Sequence, residues 1–182
     1  MSHKTWQPFF VLSKFNRSGF TLLELLVVVA IIGLLATLSI LALNNARMLA
    51  RDARRKADLR QIRTALEMYY DVNDKYPRAG GCSYGTNCYI YSTNAGNWFA
   101  ALSPYLAKAP RDPINNIAGP WYDGQYSYIY GNVSADGQIF DLAAQLENKN
   151  DPDRCEIKKY ILNWTKGVWC GIYSKQLYTN TP

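Results

Sequence analysis

The chain has 182 residues, with 20 Lys and Arg against 14 Asp and Glu, a formal net charge of +6 and a single histidine. That length holds one domain of moderate core together with a membrane helix. With His3 as the only imidazole, histidine-activated nucleophiles and histidine-ligated metals are disfavoured; no phosphate loop or nucleophile–base spacing is present either, so no enzyme is expected. At the N-terminal end, the apolar piece Trp6–Leu12 is broken by Gln7 and Pro8 and is too short to span a bilayer. From Phe20 to Leu43 there is no Lys, Arg, Asp, Asn, Gln or Pro, and Glu24 is the one carboxylate. Such a run spans a bilayer, because ~20 helical residues at ~1.5 Å each cover the hydrocarbon. Lys4, Lys14 and Arg17 precede it and hold that side in the cytoplasm, which sends the remainder outward. Glu24 lies about one turn inside the run, where a charge costs on the order of 3 kcal/mol or more.

After Leu43 the pattern stays helical but becomes amphipathic. Leu59, Ile62, Leu66 and Tyr69 recur at three and four residues, with Val72 and Tyr76 continuing the stripe. No proline intervenes from Phe20 until Pro77, and Asn73-Asp74 followed by Tyr76-Pro77 supplies the stop. One helix from about Phe20 to about Asp74 is predicted, roughly 80 Å long. Residues 44–63 carry Arg47, Arg51, Arg54, Arg55, Lys56, Arg60 and Arg63 against Asp52 and Asp58, a local +5, whereas ten cations face eleven acids beyond them. This basic stripe reads as a solvated face with i,i+4 pairs such as Asp52–Lys56. It reads alternatively as a contact for anionic headgroups or for acidic groups of neighbouring subunits. Direct nucleic-acid binding is the least supported of its readings.

Arg78–Gly96 is a Gly-, Ser-, Asn- and Tyr-rich connection. Trp98, Phe99, Leu102 and Leu106 predict a short helix ending before Pro110, and Arg111–Gly124 reads as turns. Tyr126–Tyr130 alternates as a strand, and Phe140, Leu142, Ala144 and Leu146 form one face of the next. Ile157–Trp164 and Val168–Tyr173 predict a hairpin across Thr165-Lys166-Gly167. The expected fold class is α+β: a small antiparallel sheet laid on the amphipathic half of the long helix. Tyr84, Tyr89, Tyr91, Trp121 and Tyr122 fall in loop-like stretches, as an adhesive or subunit-contact surface or as filling for a small core and the sheet face.

Cys82, Cys88, Cys155 and Cys170 suit an exported, oxidising setting. Three pairings exist, and loop closure favours Cys82–Cys88 with Cys155–Cys170. Their spacing does not match a zinc pattern. Asp136, Asp141, Asp151 and Asp153 carry oxygen ligands of the kind calcium takes. Asn148–Asp153 equally suits a surface turn, and no spacing decides between the two.

The junction of basic residues, Ser18-Gly19, Phe20-Thr21-Leu22-Leu23-Glu24 and an uninterrupted apolar helix resembles the signal of type IV pilins and their pseudopilin relatives. An ordinary signal peptide fits worse, because its apolar core precedes the cut, whereas here the core follows Gly19 and is kept. The resemblance implies that a prepilin peptidase cuts between Gly19 and Phe20 and methylates Phe20. It implies that Phe20, Thr21 and Glu24 serve assembly, with Glu24 paired to the Phe20 amine of a neighbouring subunit. A buried charge that gains an opposite charge recovers most of its desolvation penalty. The domains would then be a leader (1–19), a membrane and filament-core helix (20–43), its amphipathic continuation (44–76) and a head (77–182). Gly33 matches a family glycine that marks a segment able to lose helicity in the filament, with a close helix contact as the alternative; the proline often found later is Leu41 here.

The head resembles the family only in kind. Asp112-Pro113 followed by Tyr126-Ser127-Tyr128 is similar to the region before the sheet in the major pseudopilin of type II secretion, which has a calcium site in later loops. A Cys155–Cys170 closure resembles the C-terminal disulfide loop of many pilins. The implied function is a structural subunit of a pilus-like homo-oligomeric filament, first a single-pass membrane protein with its head outside, then part of a cell-surface fibre. The implied partners are the peptidase, an assembly platform and further copies of the chain. A secretion pseudopilin or a minor tip pilin is the alternative, and no cofactor other than calcium is in view.

Overall fold

The computed structural model describes residues 19–80, 89–96, 98–132, 134, 136–155 and 177–179. Helix α1 runs Leu22–Asn73 and is followed by β1 (Ile90–Tyr91), a 3-10 turn (Ala100–Leu102), β2 (Tyr128–Asn132), β3 (Phe140–Gln145) and β4 (Leu177–Thr179). The strands form one antiparallel sheet in the order β1-β2-β3-β4. The α+β, pilin-like architecture is therefore as expected, and the helix bounds agree within two residues. By its contacts the chain divides into two units, Met1–Ala42 and Leu43–Pro182.

In the first unit the apolar side chains of α1 have no cover among the described residues; Leu22, Leu26, Leu34 and Leu38 are all exposed. The two hydroxyls in this stretch are satisfied within the helix. Thr37 Oγ1 donates to the Leu34 carbonyl (2.7 Å) and Ser39 Oγ to that of Leu35 (2.8 Å). That economy suits a lipid setting, where a polar group without a partner is costly.

In the second unit α1 buries the stripe Asp52, Arg55, Leu59, Ile62 and Leu66, spaced three and four residues apart. Its apolar part packs with Tyr128, Tyr130, Phe140, Leu142 and Ala144 of the sheet, and with Trp98, Phe99, Leu102 and Leu106. Val72, expected in the stripe, is exposed instead. The helix ends with Asp74 in the left-handed region (φ 55°), its N–H donating to the Tyr70 carbonyl at 2.8 Å. Tyr76 then turns inward, with its N–H on the Gly137 carbonyl (2.9 Å) and its ring 4.6 Å from Phe140. Tyr130 Oη donates to the Pro77 carbonyl at 2.6 Å.

Three local expectations change. Trp98, Phe99, Leu102 and Leu106 are buried as their spacing suggests, but only a 3-10 turn forms, since one or two turns cannot offset helix nucleation. β2 begins two residues later than expected, because Tyr126 and Ser127 hold a loop. Tyr126 N–H donates to Asn116 Oδ1 (2.9 Å), and Ser127 Oγ accepts from Gly119 N–H (3.0 Å). β1 and β4 fall in stretches with no strand expectation. The expected hairpin at Ile157–Tyr173, together with Tyr84, Cys82, Cys88 and Cys170, lies outside the described residues.

Candidate functional site

The start of α1 is built by a reciprocal pair. Thr21 N–H and Thr21 Oγ1 both donate to Glu24 Oε2 (2.8 Å each), while Glu24 N–H donates to Thr21 Oγ1 (3.2 Å). This is a capping box: Thr21 sits at the N-cap, Glu24 three positions on, and two otherwise orphaned backbone donors are satisfied. The carboxylate therefore has a partner within its own first turn. The Thr-x-x-Glu spacing before an apolar run is the signal for it. Glu24 Oε1 makes no hydrogen bond among the described residues and stays available to a second donor. Gly19 and Phe20 precede the helix, non-helical and exposed. A Cβ on Gly19 would meet nothing within 4 Å, so the chain's own packing does not demand glycine there. Gly33 is equally open, and no contact among the described residues accounts for it.

The basic stripe has a different fate from its expected solvated face. Arg55 is fully buried, its Nε and Nη2 donating to Asp112 Oδ2 (2.7 Å) and Oδ1 (3.1 Å). Its Nη1 donates to Asp52 Oδ1 (2.7 Å) and Glu147 Oε1 (2.6 Å), and the Tyr126 ring lies 4.6 Å from the guanidinium. Arg51 adds a two-pronged contact to Glu147, at 2.7 and 2.5 Å. Asp52 accepts from the N–H groups of Glu147 (2.9 Å) and Asn148 (2.8 Å). Asp112 accepts from Ile114 N–H (2.8 Å) and, at 3.3 Å, from Asn115 N–H. The network ties α1 to the segment before β2 and to the end of β3. Burial by itself would push the Arg55 pKa down, but its bonds to Asp112, Glu147 and Asp52 hold it above its ordinary value. Burial alone would raise the Glu147 carboxyl; Arg51 and Arg55 outweigh that and hold it below the usual range.

Asp52 thus pairs with Arg55, and the expected Asp52–Lys56 pair does not form. Lys56 reaches Asp151 and Asp153 instead, at 2.6 Å each. Arg54–Asp58 (3.7 Å) and Arg63–Glu67 (3.5 Å) remain as i,i+4 pairs along the helix. Arg47 and Arg60 make no ion pair among the described residues, and both are exposed. Nothing in the apolar periodicity marks Arg55 as buried; its one signal is that 52 and 55 continue the spacing of 59, 62 and 66.

The four aspartates proposed as calcium ligands do not converge. Among the described residues no group of three or more His, Cys, Asp and Glu side chains could hold a metal. Asp136 caps a turn by accepting from Gln138 N–H at 3.0 Å. Asp141 is buried in β3, where desolvation pushes its carboxyl up to about 8. Cys155 is disulfide-bonded, and its partner lies outside the described residues. Of the loop aromatics, Tyr89 and Tyr91 set their rings edge-on to Trp121 at 6.0 and 6.4 Å, while Tyr122 is exposed.

Comparison with known proteins agrees with this geometry. Residues 14–40 match the family model described as the prokaryotic N-terminal methylation motif. The chain is 41% identical to the type II secretion system core protein G of Klebsiella pneumoniae, over 84% of this chain and 97% of that protein. It is 29% identical to the core protein G of Aeromonas hydrophila, over 78% of this chain and 93% of that protein. Similarity to the type IV major pilin PilA of Myxococcus xanthus, 36% identical, covers 35% of this chain and 30% of that one. No solved structure matches. The chain belongs to the pilin and pseudopilin family, whose members are filament subunits carrying an apolar N-terminal helix.

Proposed function

We propose that this chain is the subunit of a type II secretion pseudopilus. The share of length matched supports this: the likeness to the core G proteins of Klebsiella pneumoniae and Aeromonas hydrophila covers 84% and 78% of this chain, whereas the likeness to the pilin covers about a third of each chain. A surface pilus is the second reading, favoured by a disulfide-bonded Cys155 that would close a C-terminal loop with Cys170. A peptidase cuts after the exposed Gly19 and methylates the new amine of Phe20. The product waits in the membrane with its head outside, and an assembly platform draws it into a fibre beyond that membrane. The chain itself catalyses nothing; its working group is Glu24.

The observation that carries the assembly role is a carboxylate at the head of an exposed apolar helix, held by Thr21 alone among the described residues. Moving apolar side chains from lipid to a helical bundle changes little, because both surroundings are apolar. Glu24 gains most by meeting the Phe20 amine of another copy, and so it sets the axial register between subunits. Glu24→Ala should give a processed, membrane-resident protein that forms no fibre. Normal fibres from that variant, seen by electron microscopy and immunoblot of sheared material, would sink the mechanism.

A further inference from the structure

The loop that follows β3 holds two of the four aspartates whose oxygens are of the kind calcium takes, and it is already folded around a positive charge. Lys56 Nζ donates to Asp151 Oδ1 and to Asp153 Oδ2, each at 2.6 Å. The lysine side chain is 15% exposed and that of Asp151 10%, so the pair is shielded, while Asp153 is half exposed. The Tyr178 ring of β4 lies 5.6 Å from the same ammonium. The loop closes on this centre through its own backbone. Asp153 N–H donates to Asp151 Oδ1 (2.9 Å), Arg154 N–H to the Asp151 carbonyl (3.2 Å), and Asn150 N–H to Asn148 Oδ1 (3.0 Å). At its start, Asn148 N–H is anchored on Asp52 of α1 at 2.8 Å.

Calcium takes about six to eight oxygen ligands. Here two carboxylates converge, and the point that could bridge them is filled by an ammonium. Among the described residues no third acidic side chain joins them, and this set does not fit the ion. We infer that Lys56 is the built-in cation of this loop, so the head closes residues 147–155 without a divalent metal. A tethered charge has no binding equilibrium, and the stability it confers does not follow the concentration of any free ion. The exported head would keep the same fold in calcium-rich and calcium-poor surroundings. This holds for either filament machine, since it concerns folding of the head alone.

The test uses the processed full-length protein in detergent. Thermal unfolding is followed in calcium chloride and in EGTA, and calcium is titrated calorimetrically. The wild type is expected to unfold at the same midpoint in both and to give no binding heat. Lys56→Met is expected to lower the midpoint and to make the 147–155 loop sensitive to protease. Lys56→Arg, which keeps the charge, should hold both near wild type, and adding Asp151→Asn to Lys56→Met should recover part of the loss. Stoichiometric calcium binding that raises the wild-type midpoint overturns the inference, and this arm stands even where Lys56→Met does not fold. A Lys56→Met protein as stable and as protease-resistant as wild type overturns it as well.

Discussion

Replacing Arg55 with methionine removes the charge at the centre of the α1 network while keeping an unbranched chain of similar reach. The guanidinium is fully buried and makes four hydrogen bonds to three carboxylates, at 2.6, 2.7, 2.7 and 3.1 Å. Its loss is not shared evenly. Glu147 keeps Arg51, and Asp52 keeps the N–H groups of Glu147 and Asn148. Asp112, whose side chain is fully buried, keeps backbone donors but loses its only ion pair among the described residues. Breaking one side of a buried pair costs about 3–5 kcal/mol, because an uncompensated charge stays behind. Arg55→Met should therefore destabilise the head by that amount in urea titrations followed by tryptophan fluorescence. Adding Asp112→Asn removes the stranded charge and should return about 0.5–3 kcal/mol of it, the range of coupling between residues in one network. The pH dependence has a definite sign. Glu147 titrates below its ordinary value when folded, so its contribution is present above pH 4.5 and lost as pH falls through the lower folded value. The gap between wild type and Arg55→Met should narrow on acidification below about pH 4.5. A loss under about 1 kcal/mol at neutral pH, or no recovery in the double variant, would refute the account of a buried pair.

Substitutions at two further positions probe the helix start and the sheet. Thr21→Val keeps the shape of the N-cap but removes the hydroxyl that Glu24 shares, while Thr21→Ser keeps it; the capping loss of about 1 kcal/mol should appear as reduced membrane-resident protein for Val and not for Ser, read by pulse-chase and immunoblot. Asp141 is buried with Oδ1 lacking a hydrogen-bond partner among the described residues, and its folded carboxyl is pushed up to about 8 against an ordinary 3.8. Its penalty is therefore absent below pH 3.8, grows as pH rises and is complete above about 8. Asp141→Asn should raise stability by about 1–3 kcal/mol at pH 8 and change it little at pH 4, so equal effects at the two pH values would count against that reading.

What the sequence carried was local. The bounds of α1 follow from the long run without proline and from the stop at Asn73-Asp74, and neither depends on anything distant. The exposed junction at Gly19-Phe20 and the Thr-x-x-Glu box lie within five residues of one another, so one turn of chain is enough to specify them. Leu59, Ile62 and Leu66 declared themselves as core because apolar side chains at helical spacing have few other places to go.

The polar half of the same face was not legible. Arg55 is buried only because Asp112 and Glu147, 57 and 92 residues away in sequence, arrive at it in the fold. A charged residue reads as solvated until its counter-charges are known. The same holds for Lys56, whose partner changes from its neighbour Asp52 to Asp151 and Asp153. β1 has two residues and β4 three, and they are strands only because the edges of β2 and β3 offer backbone partners. Sequence by itself therefore determined the long apolar helix, the exposed Gly19-Phe20 junction before it and the position of Glu24, each set within a turn or two of chain. Tertiary structure alone decided which charges are buried, where the short strands form, and that an ammonium lies between the aspartates, because each depends on groups the chain brings together only when folded.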